Sequence, residues 1–261
     1  MIKFIACDLD GTLLPPSKIM PERTFEIIET LAKKGVIFAP ASGRQLPNLL
    51  KLFAPVASKI AVIAENGGLG WYNNKVVYSN PTPCESVLYA LDILRGESNL
   101  YPLLSCENCA YYENDYAPFV EVLHKSYSAA KKVESLEEVL KHETALKISV
   151  WDPLVSANHG GVILPQKIKG LRVMVSGYDW LDISIATANK GEALKALLSY
   201  FGIAPDECMA FGDHMNDLEM LKACSHPCVT ANAFPALKEQ IPYEVASNAE
   251  FGVIKKLEEL L

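Results

Sequence analysis

Residues 1–16 read MIKFIACDLDGTLLPP, an apolar run that ends in two carboxylates one residue apart and then a glycine. Ile2, Phe4, Ile5 and Ala6 have the continuous apolar character of a short strand buried on both faces, as inside a parallel sheet. Side chains two apart on a strand point the same way, so Asp8 and Asp10 are expected to face one spot. Neighbouring carboxylates repel, which requires that one be protonated or that a cation sit there. An acidic turn after a strand is the plainer alternative, and it leaves the second carboxylate without a task.

The chain beyond this stretch repeats its logic. Pro21 to Lys34 has a proline in the first turn, Phe25, Ile28 and Leu31 on one face and Gly35 at its end, which predicts a helix. Val36 to Ala41 reads as a strand broken by Ser42-Gly43-Arg44, Gln45 to Phe53 as a helix, and Ile60 to Ala64 as another buried strand. Strand and helix in alternation predict an α/β fold, a Rossmann-like parallel sheet with helices on both faces. Leu69 to Tyr78 reads as a hairpin turning at Asn73-Asn74.

After Asn80-Pro81-Thr82-Pro83 the rhythm changes to short helices (Glu85 to Leu94, Ala117 to Leu123) mixed with strands such as Leu146 to Trp151. An α+β domain is therefore expected at 81–181, inserted into a core made of 1–80 and 182–261. The alternation then resumes with a helix at Lys190 to Tyr200, a strand at Glu207 to Phe211 and a helix at Met215 to Lys222.

Half of the 261 residues are hydrophobic and 21% are charged, as in a globular protein with a sizeable core. A net charge of −7 argues against a nucleic-acid surface, which needs clustered Lys and Arg. No apolar run reaches the length of a membrane span, and the first residues read as a strand rather than a signal peptide. Seven cysteines without framework spacing point to a reduced, cytoplasmic setting. Cys106 with Cys109, and Cys224, His226 and Cys228, are each only partial zinc motifs, so buried thiols are the better reading.

In open α/β sheets, ligands bind beyond the carboxyl ends of the strands. Four groups fall there: Asp8 and Asp10; Ser42 and Gly43; Lys190 at the start of its helix; and Gly212-Asp213-His214-Met215-Asn216-Asp217. Each alone is an ordinary cap or a solvated side chain. Together they supply an anionic nucleophile, hydroxyl and amide donors, a cation and oxygen ligands for a hard metal. That set suits phosphoryl transfer, which is mostly positioning and charge neutralisation.

Asp8-Leu9-Asp10-Gly11-Thr12, Ser42-Gly43-Arg44, Lys190-Gly191-Glu192 and Gly212-Asp213 with Asn216-Asp217 resemble the four motifs of the haloacid dehalogenase-like hydrolase superfamily. Within it, the chain is most similar to the Cof-type sugar-phosphate phosphatases, and Glu65-Asn66-Gly67-Gly68 and Asn232-Ala233 add to the resemblance. The resemblance implies that Asp8 attacks phosphorus to form an aspartyl phosphate and that Asp10 serves as general acid and then base. It implies a Mg²⁺ ion held by Asp8, the backbone carbonyl of Asp10 and Asp213. Ser42, the amides of Leu9 and Gly43, Lys190 and Asn216 would hold the phosphate, and Asp217 would orient Lys190 or a metal-bound water. Arg44 would reach substrate or form a structural ion pair. Ile185, Thr187 and Ala231 stand where the family usually has Pro, Gly and Gly, which bears on local loop shape.

The resemblance thus implies a magnesium-dependent phosphatase of small phosphorylated metabolites, sugar phosphates foremost, with neither nucleic acid nor membrane as partner. A phosphomutase of the same superfamily and a non-catalytic phosphometabolite-binding regulator are the competing readings. The inserted domain is expected to close over the phosphate site as a cap and set specificity. Tyr178, Asp179, Trp180 and His159 are candidate contacts there, each with a structural role as its alternative. Oligomeric state leaves no mark on the sequence.

Overall fold

The apolar runs become strands in the computed structural model, which describes residues 1–261. In the first third of the chain these are β1 (Phe4–Cys7), β2 (Ile37–Pro40), β3 (Ala61–Ala64), β4 (Leu69–Tyr72) and β5 (Lys75–Ser79). The middle holds β6 (Tyr101–Cys106), β7 (Ala110–Tyr112), β8 (Ala130–Lys132), β9 (Ala145–Trp151), β10 (Arg172–Val175) and β11 (Trp180–Ser184). The last third adds β12 (Cys208–Gly212), β13 (His226–Thr230) and β14 (Glu244–Val245).

The chain divides into two units: Met1–Arg44, Leu49–Ser79 and Asn189–Leu261 form one, and Gln45–Asn48 with Asn80–Ala188 form the other. In the first unit, a five-stranded parallel sheet runs in the order β14-β13-β12-β1-β2. Parallel bridges from Phe38 to Ile60 and from Ala41 to Ile63 bring β3 alongside β2, and β3, β4 and β5 continue as an antiparallel meander. Asn73 and Asn74 turn the β4–β5 hairpin, both at positive φ (48° and 60°), the conformation that a two-residue hairpin requires.

Alternation within the strands sorts their side chains onto two covered faces. Phe4 and Ala6 join Ala210, Leu194, Leu197 and Leu221 in one core cluster. Helices Lys190–Phe201 and Leu218–Lys222 supply the last three of these side chains. The helix Glu22–Lys33 buries Ile27, Ile28 and Leu31, and Gly252–Glu258 buries Val253, Ile254 and Leu257. The fold class is α/β, as the alternation of elements predicts.

The second unit is built on a six-stranded sheet in the order β10-β11-β9-β6-β7-β8. One face carries an apolar cluster of Ile148, Val150, Leu181, Ile183 and Leu104 with Val87, Leu91 and Leu94 from the helix Cys84–Arg95. The boundary expected at 181–182 needs correction. It would cut β11, whose Trp180–Ile183 pair antiparallel with Trp151–Ile148 of β9, so the ladder keeps β11 whole in the second unit, which ends at Ala188.

Candidate active site

The carboxyl ends of β1, β2, β3 and β12 meet at one edge of the first unit and deliver Asp8, Ser42, Glu65 and Asp213 there. β1 ends at Cys7, and the chain then winds tightly, with the amides of Thr12 and Leu14 donating to the Leu9 carbonyl and that of Leu13 to the Asp8 carbonyl. This corrects the expectation that Asp8 and Asp10 face one spot, because strand alternation stops before both of them. Asp8 is buried at 6% exposure, whereas the Asp10 side chain is 46% exposed. Each has its own cation: Lys190 Nζ lies 2.6 Å from Asp8 Oδ1, and Arg44 grips Asp10 through Nη2 at 2.8 Å and Nε at 3.1 Å. Arg44 thus forms an ion pair.

Lys190 is almost wholly buried and is held between two carboxylates, with Asp217 Oδ1 at 2.7 Å on its other side. Asn189 caps the helix, its side chain accepting from the Glu192 amide at 3.0 Å, and so fixes where Lys190 leaves the backbone. Burial pulls the lysine toward neutrality, but Asp217 and Asp8 together outweigh it, so its pKa is raised and the ammonium persists. Burial pushes the Asp8 carboxyl well above its ordinary range, helped by Asp217 and Asp213 and opposed by Lys190. Asp213 is raised as well, by burial and then Asp217, with the Thr12 hydroxyl pulling against them.

Asp8, Asp213 and Asp217 can each offer a carboxylate oxygen to a group within 4.8 Å of one another. Three carboxylates against one lysine leave excess negative charge, and oxygen donors suit a hard divalent cation. Two neighbours shape this cluster. Thr12 Oγ1 donates to Asp213 Oδ1 at 2.8 Å. Gly11, at φ +88°, lets the chain pass so close that a Cβ there would sit 2.2 Å from Asp213 Oδ2.

The loop after β12 closes on itself, because Asp217 Oδ2 accepts from the amides of Asp213 (3.0 Å) and His214 (3.2 Å). That closure splits the helix expected over Met215 to Lys222. Met215–Asp217 is a 3₁₀ turn, and the α-helix begins only at Leu218. Asn216 stands on this turn, its Nδ2 3.4 Å from Asn66 Oδ1. Ser42 is buried, with Oγ accepting from the Arg44 amide at 3.3 Å. The first unit therefore gathers Asp8, Leu9, Asp10, Ser42, Gly43, Lys190, Asn216, Asp213 and Asp217 at its strand ends.

This chain belongs to the haloacid dehalogenase-like hydrolases. Residues 5–257 match that family. A 5-amino-6-(5-phospho-D-ribitylamino)uracil phosphatase of Escherichia coli (strain K12) is 27% identical, the match covering 100% of this chain and 96% of the relative. An HMP-PP phosphatase of Cronobacter sakazakii is 25% identical over 93% of this chain and 89% of its own length. Among solved structures, a haloacid dehalogenase-like hydrolase from Bacteroides thetaiotaomicron superposes with a TM-score of 0.80 at 25% identity, each chain fully covered. Within the family the chain is a phosphoric monoester hydrolase of the Cof type.

The motifs alone assign no contact to Thr12, which holds Asp213, or to Asn66, which meets Asn216, although Thr12 closes the first motif and Asn66 follows a strand end as Ser42 does. In the second unit, the four candidate contacts divide. Trp151 Nε1 donates to Asp179 Oδ2 at 2.9 Å, and His159 Nδ1 lies 3.0 Å from Asp152 Oδ1, so both hold local structure. Tyr178 is exposed and Trp180 half-buried, ring against Tyr127. Sequence reading missed a buried polar chain in this unit, in which Lys147 and Ser149 both reach Asp182 and Tyr127 reaches Ser149. Residue type gave no signal for it, since a lysine on a strand is usually solvated. No helix of the protein is long and apolar enough to cross a membrane.

Proposed function

We propose that this phosphatase hydrolyses small phosphorylated metabolites, sugar phosphates foremost, through an aspartyl phosphate formed on Asp8 and with Mg²⁺ as its metal. The observation that carries the reading is the buried pair between Asp8 Oδ1 and Lys190 Nζ at 2.6 Å, beside two further carboxylates. A carboxylate nucleophile must approach an anionic phosphate, and a fixed buried ammonium lowers the cost of that encounter. The Asp8 carboxylate forms the bond to phosphorus as the ester oxygen departs, and Asp10 gives that oxygen its proton. Asp10 then takes a proton from water, whose oxygen attacks phosphorus. The bond to Asp8 breaks, releasing inorganic phosphate.

Ser42, the backbone amides of Leu9 and Gly43, Lys190 and Asn216 hold the phosphate oxygens in this reading. Asp217 holds Lys190. Asp8, the Asp10 backbone carbonyl and Asp213 would hold Mg²⁺, which supplies charge neutralisation between nucleophile and phosphate. The second unit would set specificity in this reading. The substrate class draws support from the E. coli relative, named for a phosphoribityl compound.

Asp8→Asn tests the chemistry, since a carboxamide of the same size cannot form the covalent intermediate. Turnover should vanish with the fold intact, and substantial residual activity in contaminant-free protein would overturn the mechanism. Asp10→Asn should cost about 10²–10⁴-fold. A panel of sugar phosphates, nucleotides and phosphopeptides tests the substrate class. A phosphopeptide or nucleotide ranking first in kcat/KM would refute it.

A further inference from the structure

The turn that follows β3 holds three successive residues at positive φ: Glu65 at 53°, Asn66 at 54° and Gly67 at 93°. Only the glycine adopts this conformation freely. Asn tolerates it better than most residues, and Glu pays fully for it. Such strain persists only where surrounding structure imposes it, and it gathers at working sites. The turn is imposed here by backbone bonds to the strand-end loop of β2, from the Asn66 amide to the Ser42 carbonyl (3.0 Å) and from the Glu65 amide to the Arg44 carbonyl (3.1 Å).

The strain aims the Asn66 side chain at the residues read above as phosphate holders. Its Oδ1 accepts from Asn216 Nδ2 at 3.4 Å, and its Nδ2 occupies the space beside Gly43, 2.7 Å from where a Cβ would stand. Asn66 is 8% exposed, so this amide is part of the packed floor of the site. One residue thus touches Ser42 through its backbone and Gly43 and Asn216 through its side chain.

We propose that Asn66 is a positioning residue for phosphate binding, an amide wedge that sets the Gly43 backbone and turns the Asn216 amide toward the phosphate. The proposal rests on the phosphate-holding reading of Ser42, Gly43 and Asn216. Asn216 has two amide hydrogens, and occupying one with Asn66 Oδ1 fixes the direction of the other. It also accounts for glycine at 43, since a methyl there would displace the wedge.

Asn66→Gly separates this role from a structural one. Glycine relieves the left-handed strain, which offsets the lost side-chain contact, so the melting temperature should hold within about 3 °C. The inhibition constant of inorganic phosphate and the KM should both rise about tenfold, the worth of one well-aimed bond to an anion. Asn66→Asp keeps the size, the acceptor for Asn216 and a tolerance for positive φ, so a purely structural role would be rescued by it. It instead sets a negative charge against the phosphate holders, and phosphate inhibition should weaken further than in the glycine variant. Gly43→Ala should copy the Asn66→Gly phenotype and add little to it in the double variant. Ser42→Ala serves as the control. Unchanged phosphate inhibition in Ser42→Ala would overturn the phosphate-holding reading itself. A weakened Ser42→Ala beside an unaffected Asn66→Gly, or full rescue by Asn66→Asp, would overturn the role of Asn66 alone.

Discussion

Replacing Lys190 by Met keeps the buried stem of the side chain and removes only the charge that two carboxylates share. The ammonium sits 2.6 Å from Asp8 and 2.7 Å from Asp217, and all three groups are buried. With an effective dielectric of about 20, each contact is worth roughly 6 kcal/mol gross. Desolvating the ammonium consumes several kcal/mol of that, so the net loss on removing one partner is about 3–5 kcal/mol. The variant should therefore melt roughly 10 °C below the parent in chelator. The deficit should shrink as the pH is lowered, because Asp8, deprived of its cation, takes up a proton and ceases to repel its neighbours. With Asp217→Asn added, the double variant should be more stable than the sum of the single losses by about 1–3 kcal/mol, since one of the orphaned charges is gone. Thermal melts of the four proteins across pH measure all of this. A single-variant loss below about 1 kcal/mol, or a deficit that does not narrow with acid, would show that the cluster is solvated and the argument from burial wrong.

If Asp10 is the acid, as proposed, Arg44→Gln should lower kcat on alkyl phosphates about tenfold, yet affect nitrophenyl phosphate less than about twofold, because Arg44 holds the Asp10 side chain and only a poor leaving group needs the proton. A rise in KM with kcat unchanged would assign Arg44 to substrate instead. Gly11→Ala puts a methyl where Asp213 Oδ2 stands, so the Mg²⁺ concentration giving half-maximal activity should rise about 10–100-fold. The folded state raises the Asp8 and Asp213 pKa values, so without metal the stability these two groups contribute is fully present below the ordinary carboxylate range and is lost as the pH rises through the raised values. If Mg²⁺ is the metal, as proposed, it binds the ionised forms, and its stabilising shift in melting temperature should grow as the pH rises through the raised values. A pH-independent shift would place the ion elsewhere.

The sequence by itself determined the alternation of strands and helices, because buried strands and amphipathic helices leave their period in the residues. Phe4 to Cys7 and Lys190 to Phe201 lie within a residue or two of their expected limits, and Asn73-Asn74 turn as their chemistry requires. The places of the motif residues were legible too, since Asp8, Ser42 and Asp213 follow strand ends and Lys190 opens a helix. Tertiary structure alone decided which charges pair. Asp8 and Asp10 are near neighbours in the chain, yet one answers to Lys190 and the other to Arg44, because the backbone leaves strand geometry at Cys7. Asp217 joins the metal-ready cluster by folding its loop back onto Asp213. The end of the inserted unit likewise followed the β9–β11 ladder and not the change in composition. Period and residue type are local properties that one strand of text preserves. Ion pairing, desolvation and the strain at Asn66 depend on distances between residues far apart in the chain, and only the folded chain sets those.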